Sequence, residues 1–346
     1  MNKNIIIRML GNDLKSLHNQ NQTYDNLEFT LKHEPTFKNT DKVFVLNRIV
    51  NIEKKNKIIE LLNEYNIKYL DIPFDIDEFK LIKQKYPLKI TNFKDFIKSN
   101  NNIKGLVLYY YNIYLVNNNG CRNFCIDYGK KNGYEWIFLL DSNNYLTQSL
   151  YDNIINNINE ETEYISIPSK RLANHKLTND IILSDNCDLL VNNLPIQEPQ
   201  LFFKNTSKYI FNEKIPYGFS PKAEMLNALN IQGFWKNWRP FHIFNIKQRN
   251  YTNIKTQTLS SVIRLSPNCI NNGKNNHSNR MNGLFLLILE IKLRSIDYKY
   301  IDKPFKKSFN KKFTFIISSY NMDKLIIKNL ESVKRQIYDK NNYRII

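Results

Sequence analysis

Apolar positions along this chain alternate between short strand-like runs and helical spacing. Residues 5–10 form an apolar run that stops at the turn signal Gly11-Asn12-Asp13. Residues 23–33 then carry apolar side chains at helical spacing, with Leu27 and Leu31 four apart. A second run at 42–46 ends in Asn47-Arg48. An amphipathic stretch at 52–66 follows, with Ile58, Ile59, Leu61 and Leu62 on one side. A third strand at 67–72 is stopped by Pro73. This β-α-β-α-β order predicts an α/β fold with a mainly parallel sheet flanked by crossover helices. Ligands of such sheets bind beyond the carboxyl ends of the strands. Those ends make Arg8 with Asn12, and Asn47 with Arg48, candidates for a nucleotide pocket, against the plain reading of ordinary strand-to-helix turns.

The middle of the chain is the most informative. A helix is predicted over 120–133, leading directly into the near-continuous apolar run YEWIFLL at 134–140, a pattern typical of a strand buried on both faces. The run stops at Asp141-Ser142-Asn143-Asn144, and a helix begins near Gln148. Further on, strands are expected at 164–167 and 200–203, and helices from Pro221 and over 281–294. Trp235 and Trp238 suit a sugar-stacking platform or an aromatic core. The basic stretch KPFKKSFNKK at 303–312 reads as a linker, and a new strand-helix-strand pattern starts at Phe313.

Composition changes this picture little. The 346 residues carry a formal net charge of +18, which suits an anionic partner such as nucleic acid or a nucleotide diphosphate. The lysines are spread rather than clustered, and Lys, Asn, Ile and Tyr all have AT-rich codons, so the charge also reads as genomic bias. Such a profile suits a giant virus or similar intracellular source. Four cysteines without zinc-finger spacing predict neither a structural zinc nor a disulfide framework. No run is long enough for a membrane span and no signal peptide is apparent, so a cytoplasmic protein is expected, in the host cytoplasm if viral. No dinucleotide or phosphate-loop glycine motif occurs.

Two segments resemble known families. CRNFCIDYGKKNGYEWIFLLDSNNYLT, from Cys121 to Thr147, resembles the metal-motif region of GT-A glycosyltransferases, most of all the collagen-galactosyltransferase type. FTFIISSYNMDKLIIKNLESVKRQIYDKNNYRII, from Phe313 to Ile346, resembles the opening strand, helix and strand of family 2 glycosyltransferases. Together they imply a GT-A-like domain over 1–302, the linker at 303–312, and the truncated start of a second transferase domain over 313–346. The implied activity is transfer of a sugar, a hexose by expectation, from a nucleotide-sugar donor (a UDP-sugar by preference) to a glycan or protein hydroxyl. Neither donor sugar, acceptor nor linkage is readable.

The first resemblance places Asp141 and Asn143 at the acidic turn that holds Mn²⁺ or Mg²⁺ against the leaving diphosphate. Asn replaces the family's second Asp here, keeping an oxygen and losing a charge. By the same resemblance Arg122 contacts the donor, with Asn123 and Asp127 beside it on the helix. Glu224, following a glycine turn at a helix start, is the candidate general base, and Lys222 is an alternative phosphate contact. Arg264 and Arg280 are further candidate diphosphate contacts. Two rival readings stand: a catalytically silent sugar- or nucleotide-binding domain, and a basic nucleic-acid-binding protein. The second has no recognised motif behind it.

Overall fold

A computed structural model gives the fold. It describes residues 3–15, 17, 18, 21–85, 108–172, 178–185, 187–238, 242, 244, 246–265, 276–295, 313–315 and 343–345. The first third alternates as its pattern predicts. Strand β1 (Asn4–Leu10) leads through α1 (Gln22–His33) to β2 (Thr40–Asn47), then through α2 (Ile52–Glu64) to β3 (Lys68–Ile72) and on to α3 (Ile76–Lys85). β1 pairs in parallel with β2, and β2 with β3. The start of α2 is fixed by Asn51, whose side chain accepts the Lys54 amide at 3.1 Å and satisfies one of the first-turn donors.

After α4 (Tyr109–Leu115) and α5 (Asn118–Lys131), strand β4 (Trp136–Asp141) lies parallel to β1 on the other side. Its side chains alternate between two cores. Trp136, Phe138 and Leu140 enter one, and Ile137 and Leu139 the other. Each of the five is buried, so the strand is covered on both faces, the physical reason its sequence reads as a continuous apolar run. Helix α5 approaches this strand closely at Gly129, where a Cβ would collide with the Ile137 side chain.

The chain continues through β5 (Asn144–Tyr145), α6 (Gln148–Asn156), β6 (Tyr164–Arg171), α7 (Cys187–Asn192) and β7 (Ile196–Lys204). It goes on to α8 (Pro221–Ala228), β8 (Thr256–Thr258), β9 (Val262–Arg264) and α9 (Asn276–Ser295). Among the described residues nine strands form one sheet in the order β3-β2-β1-β4-β7-β6-β9-β5, with β8 paired to β6. β7 runs antiparallel to β4 and β6, and β5 antiparallel to β9; the other pairings are parallel. Helix α6 covers one face through Leu150, Tyr151 and Ile154. Helices α5 and α8 cover the other through Cys121, Cys125, Ile126, Ala223, Met225 and Leu226. The fold is therefore the expected α/β one, a mainly parallel sheet flanked by helices.

One strand is longer than its apolar pattern. β6 continues from Ile167 to Arg171 because a bulge between Ile167 and Ser169 accommodates Pro168, after which Ser169–Arg171 pair with β9. The extension carries two basic residues to the sheet's ligand-binding edge.

Contacts divide the chain into two units, Met1–Ile291 and Lys292–Ile346. In the second, β10 (Phe313–Phe315) pairs in parallel with β11 (Tyr343–Ile345). The linker at 303–312, the helix expected between these strands and Cys269 lie outside the described residues. Cys121, Cys125 and Cys187 are buried free thiols. Among the described residues no helix is long and apolar enough to cross a membrane.

Candidate functional site

β4 ends in a turn held on every side. The Asn144 side chain accepts the Asp141 amide at 2.9 Å, closing the four-residue loop on itself. The Asn143 carbonyl accepts the Leu265 amide at 2.8 Å, and the Asn144 carbonyl accepts from Arg8 Nε at 3.2 Å. Asp141 is thereby aimed outward from the sheet's carboxyl edge, a quarter exposed, at the place where parallel sheets bind ligands.

What surrounds Asp141 is cationic. Oδ1 accepts from Arg122 Nη2 at 3.0 Å. Oδ2 accepts from Gln200 Nε2 at 3.2 Å and from Lys222 Nζ at 3.4 Å. Arg122 is itself buried, with Nη1 on Asn119 Oδ1 at 2.9 Å and its guanidinium 5.3 Å from the Phe211 ring centre. Lys222 is buried at the start of α8, with Nζ also donating to Gln200 Oε1 at 3.0 Å. Burial would raise the Asp141 pKa, but Lys222, Arg122 and Arg264, in that order, hold its carboxyl well below the usual carboxylate range. Burial lowers the Lys222 pKa, and Asp141 and Glu198 oppose that.

Further arginines close the cluster. Arg264 on β9 is the register partner of Arg171 on β6 and of Asn144 on β5. Neighbouring strands lie about 4.8 Å apart, so the two arginine stems leave one face side by side. Arg280 on α9 stacks its guanidinium 5.2 Å from the Tyr217 ring centre. Repulsion from Arg264, then burial, then repulsion from Arg280 push Arg171 down to about 9. It remains protonated at neutral pH, so the group is charged and repelled. Among the described residues the buried Nε atoms of Arg264 and Arg280 have no hydrogen-bond partner. Unsatisfied buried donors within a cationic cluster suit an anion.

Several expected site residues do other work. Arg8 is buried and ion-paired with Glu34, which also takes Lys42 at 3.0 Å and the Leu146 amide at 3.0 Å. Arg8 is therefore tied to Glu34 within the core. Asn12 spends both ends of its amide on the neighbouring loop, donating to the Arg48 carbonyl and accepting from the Val50 amide, both at 2.8 Å. Asn47 donates to the Val116 carbonyl at 2.6 Å. Arg48 has a left-handed backbone (φ 48°), donates to Asn47 Oδ1 at 3.4 Å and lies 4.8 Å from the Tyr114 ring centre. These three stitch the strand-end loops together.

On α5, Asn123 straps the chain at Phe211 by accepting its amide and donating to its carbonyl, and it donates to Glu213. Asp127 is exposed and pairs with Lys131 one turn on. Neither meets the cation cluster. Trp235 is buried, with its indole N–H on the Ile231 carbonyl at 3.0 Å, while Trp238 is exposed, so the two form no common platform.

Glu224 is the largest correction. Its side chain is 0% exposed, and Arg249 grips both oxygens: Nε to Oε1 at 2.9 Å and Nη2 to Oε2 at 2.7 Å. In this bidentate ion pair Glu224 pins the chain around Arg249 to α8, an arrangement that does not present its carboxylate to an acceptor hydroxyl.

The expected metal site is likewise not assembled. Mn²⁺ and Mg²⁺ take several carboxylate, carbonyl and water oxygens. Both Asp141 oxygens already face Arg122, Gln200 and Lys222, and Asn143, whose backbone carbonyl is bonded to Leu265, offers only a neutral side-chain oxygen. Among the described residues no three His, Cys, Asp or Glu side chains gather to hold an ion. This donor set does not fit a divalent cation at Asp141 and Asn143.

Arg122, Asp141, Lys222, Arg264 and Arg280 are thus brought together from five separate stretches of sequence. Arg171 and Gln200 complete the site and were not expected. The readable signal for Arg171 was the basic pair Lys170-Arg171 just beyond an apolar run, masked by Pro168.

No family model matches the chain, and no curated protein matches it. Its fold has counterparts among solved structures. Glucosyl-3-phosphoglycerate synthase from Mycobacterium tuberculosis, in complex with Mn²⁺, UDP and glucosyl-3-phosphoglycerate, is 7% identical and aligns over 85% of this chain and 79% of its own, with a TM-score of 0.33. S. aureus TarS 1–349 is 12% identical over 87% of this chain and 75% of its own, at 0.32. The 4-diphosphocytidyl-2C-methyl-D-erythritol synthase from Anaerococcus prevotii is 12% identical over 82% of this chain and 96% of its own, at 0.29.

Proposed function

We propose that the first unit is a GT-A-like glycosyltransferase that binds a nucleotide-sugar donor, a UDP-sugar by preference, with its diphosphate at the carboxyl ends of β4, β6 and β9. The observation that carries this reading is the buried cation cluster around Asp141, at the edge where an α/β sheet presents ligands. In the transfer, the bond from the sugar's anomeric carbon to the diphosphate oxygen breaks and leaves its electron pair on that oxygen. The acceptor hydroxyl oxygen forms the new bond, and its proton passes to solvent. Cations already in place where the new negative charge appears lower the barrier without reorganising. The parallel pairing of β10 with β11 supports reading the segment from Phe313 as the opening of a family 2 transferase domain.

Cations drawn inward to strand ends, rather than spread over an exposed face, favour a small anionic ligand over nucleic acid. A panel of nucleotide sugars, with nucleotide release as readout, tests the activity. At least one UDP-sugar is expected to be turned over, and Lys222→Met to lower the rate by about 100-fold, as loss of one preorganised charge stabiliser does. UDP binding without release from any donor would favour the silent binding domain instead.

A further inference from the structure

We infer that the donor diphosphate is held by side-chain cations without a divalent metal, and that Asp141 is the counter-ion that positions Arg122 and Lys222 rather than a metal ligand. This rests on the nucleotide-sugar reading and specifies how its site balances charge.

The first support is the occupancy of Asp141. Each of its oxygens is in contact with a buried cationic side chain, Arg122 at 3.0 Å and Lys222 at 3.4 Å. A divalent ion at those oxygens would meet both cations at close range or displace them. Displacement would leave a guanidinium and an ammonium buried and unpaired, which is strongly unfavourable. Asn143, in the place of the second motif carboxylate, brings no charge to offset this.

The second support is the charge that remains. Arg264 acts on Asp141 from β9, and Arg264 and Arg280 crowd Arg171 from β9 and α9. Among the described residues the carboxylates facing the group include Asp141, Glu198, which acts on Lys222, and Asp13, which is paired with His18 where Arg264 and Arg280 also act. The named cations outnumber the named carboxylates, so the ligand-free site holds like charges together. A diphosphate supplies the missing negative charge, and planar guanidinium groups match its oxygens two at a time. A metal ion would neutralise the same leaving group. Here the protein's own charges occupy that role, and adding a dication would increase the repulsion. Arg264 and Arg280 each bring a buried Nε donor with no partner among the described residues, in keeping with a ligand oxygen as the acceptor.

The test is calorimetric titration of the full chain with UDP and, separately, with inorganic pyrophosphate, in EDTA and in Mn²⁺. The expected result is UDP binding in EDTA with a dissociation constant within about threefold of that in Mn²⁺. Asp141→Asn is expected to bind UDP in EDTA no more than about tenfold more weakly than wild type, since it removes a counter-ion and no ligand contact. Thermal melting of that variant checks that it folds; the wild-type comparison stands without it. UDP binding that requires Mn²⁺ would overturn the inference and leave the transferase reading intact. Pyrophosphate binding in EDTA with no UDP binding would uphold the cation site and remove the nucleotide reading. Failure of both ligands in EDTA would overturn the inference.

Discussion

Glu224→Ala is expected to destabilise the first unit by about 3 kcal/mol, seen as a fall in Tm on the order of 10 °C, while UDP affinity stays near wild type. The cause is the Arg249 pair. Removing the carboxylate leaves the Arg249 guanidinium without the partner that accepts from its Nε, its Nη2 and its backbone amide. The Arg249 side chain is partly exposed and can recover some hydration, which places the loss at the lower end of that for a broken buried pair. Thermal melting and a UDP titration on one preparation separate the two roles. A stable variant that binds UDP but has lost turnover would restore Glu224 as a candidate base.

Arg171→Gln is expected to act in the opposite sense on stability and to weaken the ligand. Arg171 sits beside Arg264 on the neighbouring strand, and repulsion from Arg264 is the main reason its charged form is disfavoured. A neutral side chain relieves that repulsion, so the ligand-free Tm should rise by about 3 °C, corresponding to on the order of 1 kcal/mol. UDP binding should weaken by about 10- to 100-fold through loss of a charge-assisted contact. A gain in stability coupled to a loss of affinity is the mark of charges gathered for a ligand. A fall in both would mean that Arg171 is a structural residue.

The fold was legible where burial leaves a simple pattern. β1, β2 and the strand Trp136–Asp141 follow from apolar runs covered on two faces, while the edge strand β3 is half exposed. Asp141 stood out because an acidic turn after such a run lies at the sheet's ligand edge. Lys222, Arg264 and Arg280 were visible only as single basic residues at loop or helix starts. Their convergence depends on the crossing of β4, β9, α8 and α9, which no local spacing encodes. Arg171 was hidden because Pro168 ends the apolar run, while the bulge that lets β6 continue arises from pairing with β7 and β9. Glu224 and Asn123 misled for the same reason. A first-turn glutamate and a helix-face asparagine look available until Arg249, 25 residues on, and Phe211, 88 residues on, arrive from distant sequence to take them.

The most direct measurement is an equilibrium titration of the full chain with UDP and with uridine in the same buffer. If the cation cluster at the ends of β4, β6 and β9 is a diphosphate site, UDP binds saturably and uridine at least about 100-fold more weakly, because the charge-assisted contacts belong to the phosphates. Equal affinities, or no binding of UDP, would contradict a donor site at Asp141.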